Sequence, residues 1–153
     1  MAQAGVHLRV VDTGNVRAAC KLEMEPGQHR FVAPVAVSLA EAYVQPDVAW
    51  PRLIYDGESM VGFVMAEFDK TEGEYYLWRL NIAAGHQRNG YGTFAVSEVA
   101  RESKRRGATT LLTSYVPGEG TPQGFYERLG FIPTGAVDEG EIVMSKSLDD
   151  LEV

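Results

Sequence analysis

With 153 residues, 45% of them hydrophobic and 23% charged, the chain is long enough to bury a sizeable core and has the composition of a soluble globular domain. Its net charge of −7 argues against a binder of nucleic-acid phosphates, which carries a basic face, and suits solubility and a weak pull on cationic small molecules. A single cysteine, Cys20, excludes an internal disulfide and argues against a cysteine-based metal site.

No apolar run approaches the roughly 20 residues that a membrane span needs, and the N-terminus lacks the basic, apolar and small-residue order of a secretory signal. The expectation is a cytoplasmic protein with one domain over 1–153, no metal, no nucleic acid and no membrane partner.

Leu8 to Val11 alternates as a short strand. Asp12, Thr13 and Asn15 are caps for a helix over 16–24, which Pro26 and Gly27 end. Ser38 and Glu41 have capping-box spacing, so a second helix is expected over 39–44, stopping before Pro46. Trp50 to Tyr55, the turn at Asp56-Gly57, Ser59 to Phe68, the turn over 69–73 and Tyr75 to Ile82 read as an antiparallel meander. Thr93 to Arg106 is amphipathic, with Gly107 placed as its C-terminal cap, and the β-branched run Thr109 to Val116 is a buried strand. Strand, helix and strand over 75–116 imply a right-handed crossover with two parallel strands. Thr121-Pro122 opens a short helix over 123–129, and Phe131 to Ala136 and Ile142 to Ser147 form a last pair joined by an acidic turn. The fold class is α/β, a mixed sheet with helices on both faces.

Between the strand ending at Ile82 and the helix beginning near Thr93 lies Gln87-Arg88-Asn89-Gly90-Tyr91-Gly92. Two glycines one residue apart at a helix mouth let backbone N–H groups approach an anion, and the helix dipole favours negative charge there. By itself the stretch is equally a strand-to-helix turn that contains glycine.

The flanks carry a resemblance. Arg79-Leu80-Asn81-Ile82, then Gln87-x-x-Gly90-x-Gly92, a helix, a strand, and Phe125-Tyr126-Glu127-Arg128-Leu129-Gly130-Phe131 stand in the order of the GNAT superfamily of N-acetyltransferases, which this chain resembles over essentially its whole length. Gln28-x-x-Phe31-Val32-Ala33, Ser38-Leu39-Ala40-Glu41-Ala42, Trp78-Arg79-Leu80 and Ser114-Tyr115 look most like the bacterial spermidine and diamine acetyltransferases, with departures at Val35 and Glu119, where that pattern has asparagine.

The resemblance implies acetyl-CoA as donor and a primary amine, such as a polyamine, as acceptor, joined by direct attack in a ternary complex. It also implies a bulged, splayed central parallel strand pair. Backbone groups from Gln87 to Thr93 (Gln87, Arg88, Asn89, Gly90, Tyr91, Gly92 and Thr93) would hold the pyrophosphate, with Arg88 as an added cation. The strand ending at Leu80, Asn81 and Ile82 would pair with pantetheine, the Ile82 N–H would serve as oxyanion donor, and Tyr126 would protonate the leaving thiolate. Phe31, Glu41 and Trp78 fall on the acceptor side, and a homodimer is expected, as is common among these enzymes.

The residues leave the base open. Glu67 shares the period of Val61, Phe63 and Met65 and is the first candidate, ahead of Glu72, Glu74, His86 and His29. Tyr76 and Trp78 share a strand face and line a cation site or simply the core. Arg79, inside an apolar strand, needs a carboxylate or carbonyl partner whatever its function. Cys20 is expected buried in the first helix, away from the cleft. A non-catalytic acyl-CoA sensor is the rival from another class. A nucleotide-binding P-loop would need a lysine and a Ser/Thr that the glycine stretch lacks.

Overall fold

The computed structural model describes residues 5–28 and 31–153. The chain runs β1 (Val6–Arg9), α1 (Val16–Cys20), α2 (Val35–Val44), β2 (Ala49–Asp56), β3 (Ser59–Asp69), β4 (Glu74–Ile82), α3 (Tyr91–Arg105), β5 (Thr110–Tyr115), α4 (Gln123–Arg128), β6 (Ile132–Asp138) and β7 (Glu141–Ser147). The seven strands form one sheet in the order β1-β2-β3-β4-β5-β7-β6. All neighbours are antiparallel except β4 and β5, the parallel pair at its centre.

Alternation along the strands builds a core on each face. Val64, Ala66, Phe68, Tyr75, Leu77 and Leu111 pack with Ala95, Val96, Val99 and Ala100 of α3 and with Tyr126 of α4. Leu53, Tyr55, Phe63 and Met65 pack on the opposite face with Ala19 of α1 and Val35 of α2. The expected α/β architecture with helices on both faces is the one observed.

The largest departures fall between β1 and β2. α1 ends at Cys20, not near residue 24, and Cys20 is exposed where burial was expected. The chain beyond it leaves the helix to brace the loop after β4: the Ala84 N–H donates to the Glu23 carbonyl at 2.6 Å and the Gly85 N–H to Glu25 Oε1 at 2.9 Å. α2 begins four residues before the expected start, with Pro34 at its cap. Its φ of −58° and ψ of 152° set an extended entry, and Val37 and Ser38 donate to the Pro34 carbonyl. Ser38 therefore lies inside the helix, fully buried, and caps nothing. Glu41, the other half of the expected capping box, reaches Arg79 instead.

Candidate functional site

The site begins at a defect in β4. Met65 pairs with Arg79 and Ala66 with Leu77, which leaves Trp78 as the extra residue of a bulge. On its other edge β4 meets β5 only at Tyr76↔Leu112 and Leu77↔Thr113, so the strands part beyond Leu77. The Thr113 hydroxyl donates to the Leu77 carbonyl at 3.1 Å and ties the two strands at the point of divergence. Toward β3, the Ala83 N–H donates to the Val61 carbonyl, and Gly62↔Ile82 and Val64↔Leu80 follow in register. That phase turns Asn81 and Arg79 toward β3, while the backbone N–H and C=O groups of Leu80 and Ile82 face the gap. The gap opens into a cleft of about 850 Å³.

One wall is the loop into α3. Within 87–92, φ is positive at Arg88 (65°) and Gly90 (81°) and at no other residue, an alternation that turns successive N–H groups toward an anion. No side chain caps α3, whose first turn bears three further N–H groups at its positive end. Side chains brace the loop from behind. Gln87 Nε2 donates to the Ile82 carbonyl at 2.9 Å, and Asn89 Nδ2 lies 3.2 Å from the His86 carbonyl. The Tyr91 hydroxyl donates to Asp56 Oδ2 at 2.6 Å, and this bond, with burial, raises the phenol pKa. Gly92 is confined by packing, since a Cβ there would stand 3.2 Å from Phe125 Cζ.

At the throat of the gap, on the α3 face, stands Tyr126. It is buried edge-on against Phe125 and Phe131. Burial pushes its pKa up to about 12, so the phenol is a neutral donor across the physiological range.

The other end of the cleft lies on the α2 face and is lined by Phe31, Ala33, Trp78, Arg79, Ser114 and Glu141. Asn81 Nδ2 donates to the Ala33 carbonyl at 3.0 Å and fastens this segment to β4. Arg79 has the partner it called for: Nη2 meets Glu41 Oε1 at 2.9 Å, and Nη1 donates to the Trp78 carbonyl.

A model of the acetyltransferase (GNAT) family matches residues 16–131. The chain belongs to this family. It is an acetyl-CoA-dependent N-acetyltransferase with the GNAT fold. Comparison with curated protein sequences finds no match. Among solved structures, an acetyltransferase from Thermus thermophilus superposes with a TM-score of 0.74 at 19% identity, covering 96% of this chain and 99% of its own. The ribosomal-protein-S18-alanine N-acetyltransferase from Escherichia coli gives 0.70 at 18% identity, with 97% and 99% covered. PaiA N-acetyltransferase from Thermoplasma acidophilum, in complex with coenzyme A, gives 0.69 at 12% identity, with 93% and 98% covered. At such identities the likeness speaks for the fold.

The anion wall, the strand edge and Tyr126 of this GNAT enzyme converge on one cleft, and a glycine at the αL cap Gly90 and the uncapped α3 fit a pyrophosphate-bearing donor. Asn81 and Asn89 serve that cleft as braces and do not line it. Glu67 is not part of it: β3 pairs Glu67 with Tyr76, on the far side of the Trp78 bulge, where burial and its neighbours Asp69 and Glu74 raise its pKa. Glu41 is likewise outside the lining and engaged by Arg79. Glu72 and Glu74 are exposed at the hairpin, His86 lines the cleft, and His29 lies outside the described residues.

Sequence reasoning gave no site role to Thr113, Ser114, Glu141 or Arg128, all on the cleft. The order of the last three strands hid Glu141, because β7 inserts between β5 and β6 and carries it to Ser114.

Proposed function

We propose that the acetyltransferase moves an acetyl group from acetyl-CoA to a primary amine by direct attack in a ternary complex. The observation that carries this reading is the parting of β4 and β5, which opens a passage between the two faces of the sheet beside Tyr126. The N–H groups of the 87–92 loop and the first turn of α3 hold the donor's pyrophosphate, with Arg88 and Arg128 as cations beside them. Leu80 offers its outward backbone groups to the pantetheine amides, and the N–H of Ile82, whose carbonyl already accepts from Gln87, polarises the thioester carbonyl. Tyr126 donates its proton to the departing sulfur. The amine enters from the α2 face, past Phe31 and Trp78, whose rings suit a cation.

Spermidine and diamines are the acceptors we propose first. Their support is the sequence pattern at Gln28-x-x-Phe31-Val32-Ala33 and Trp78-Arg79-Leu80 and the aromatic entrance. Several carboxylates along a polyamine path do not support it, since the described cleft lining holds Glu141 alone. A thiol-release assay with acetyl-CoA against polyamines, diamines, amino acids, aminoglycosides and peptide N-termini tests both levels. Turnover with amines other than polyamines leaves the transfer reading and removes the polyamine assignment. Binding of acetyl-CoA with no turnover across the panel leaves a sensor.

A homodimer belongs to the same reading. Its support is the terminal strand β6, where Ile132 and Val137 are 64% and 69% exposed.

A further inference from the structure

We propose that Glu141 docks the acceptor's ammonium and takes up the proton shed as the C–N bond forms, with Ser114 as its positioning residue. This rests on the acetyl-transfer reading of the cleft.

Glu141 opens β7 directly after the turn in which Glu139 and Gly140 both take positive φ. It is half-buried, and the Ser114 hydroxyl donates to its Oε1 at 2.8 Å. Its second carboxylate oxygen has no hydrogen-bond partner among the described residues. Of the described residues that line the cleft, Glu141 is the one carboxylate; the other charged groups there are Arg79, Arg88 and Arg128. An entering ammonium therefore meets a single attractive charge, and that charge is fixed in place by a serine rather than swinging on a free side chain.

Sheet geometry puts this charge on the productive side. Thr113 and Ser114 are neighbours on β5 and project to opposite faces. Tyr126 stands with Thr113 on the α3 face, where the Thr113 hydroxyl donates to the Leu77 carbonyl, and Ser114 holds Glu141 on the α2 face. Between them runs the gap that β4 and β5 leave open. An acyl carbon in that gap has a proton donor for its sulfur on one side and a proton acceptor for the attacking nitrogen on the other.

The balance is simple. The ammonium first gives one proton to solvent by way of Glu141. The free amine then forms the C–N bond, and its nitrogen, now cationic, passes a second proton to Glu141. The C–S bond breaks as Tyr126 protonates the thiolate; Glu141 then gives its proton to solvent, and Tyr126 regains one from solvent. Amide, free thiol and one net proton result.

The test measures thiol release by the wild type, Glu141→Gln, Glu141→Asp and Ser114→Ala with the best acceptor from the panel, from weakly acidic to strongly alkaline pH. Acetyl-CoA affinity is measured beside it by calorimetry. The titratable groups around Glu141 are Tyr76 on β4, Tyr126 on α4 and Asp138 on β6, with Arg79 in the same cleft. Near neutral pH, Glu141→Gln is expected to lower kcat/KM for the amine about 100-fold with unchanged acetyl-CoA affinity. The deficit should shrink as pH approaches the amine's own pKa of roughly 10, where free amine is abundant. Glu141→Asp should keep part of the activity, and Ser114→Ala should lose about tenfold. Glu141→Gln within about threefold of an active wild type at neutral pH overturns the proposal and leaves the transfer reading intact. A wild type that binds acetyl-CoA but acetylates nothing in the panel overturns both.

Discussion

Tyr126 is a phenol that the fold keeps neutral. Desolvation at the throat of the cleft raises its pKa to about 12 from an ordinary value near 10. The proposed proton donor gains from this, because the protonated form persists well above neutral pH. Tyr126→Phe removes the proton and little else, since the ring still packs between Phe125 and Phe131. We expect kcat to fall about 100-fold or more with acetyl-CoA affinity unchanged, measured by thiol release and calorimetry. The same shift predicts a stability signature. A folded pKa above the unfolded one contributes stability that is complete below about pH 10 and is lost as pH rises through about 12. Relative to Tyr126→Phe, the wild type should lose about 1 kcal/mol by about pH 11, read from denaturant midpoints at mildly and strongly alkaline pH. Equal losses in both proteins would show that the phenol is not buried as described.

At the scale of elements, the site depends on how β4 is held between β3 and α2. Gly62 faces Ile82 across the ladder, and a Cβ at this glycine would stand 2.6 Å from the Asn81 carbonyl oxygen. Backbone cannot yield as a side-chain tip does. Gly62→Ala should therefore destabilise the protein by about 1–3 kcal/mol and weaken acetyl-CoA binding by moving the Leu80–Ile82 edge. A variant with wild-type stability and affinity would sink that account. Asn81 works on the same strand from the other side, joining β4 to Ala33, so its side chain fixes the Ala33 segment while its neighbours' backbones face the gap. Arg79 and Glu41 add a second tie between β4 and α2. Most strands and helices were legible in the sequence because alternation, amphipathic period and Gly-Pro punctuation are local signals. The segment between α1 and α2 was not, because its conformation answers to the loop after β4, about sixty residues away.

For the whole molecule, the outward features are a net charge of −7 and the edge strands of the sheet. No helix among the described residues is long and apolar enough to cross a membrane. The sheet ends at β6, whose Ile132 and Val137 stand out in solvent. The homodimer reading predicts dimer mass by sedimentation velocity and a shift toward monomer when both residues are replaced by lysine. A wild type that sediments as a monomer at tens of micromolar, roughly the range where weak dimers form, would end it.

The sequence by itself determined the family, the fold class, the glycine loop and the tyrosine motif. Each is written in residues close together, where turn conformation, helix polarity and spacing are local consequences of residue type. It could not place the carboxylate of the cleft. Glu67 has the right period on β3, yet the Trp78 bulge and the pairing with Tyr76 leave it beyond the cleft. Glu141 sits in what looks like one more acidic turn, yet β7 inserts beside β5 and sets it against Ser114. Strand order and bulge position arise from packing between distant segments, and only the tertiary structure decides them.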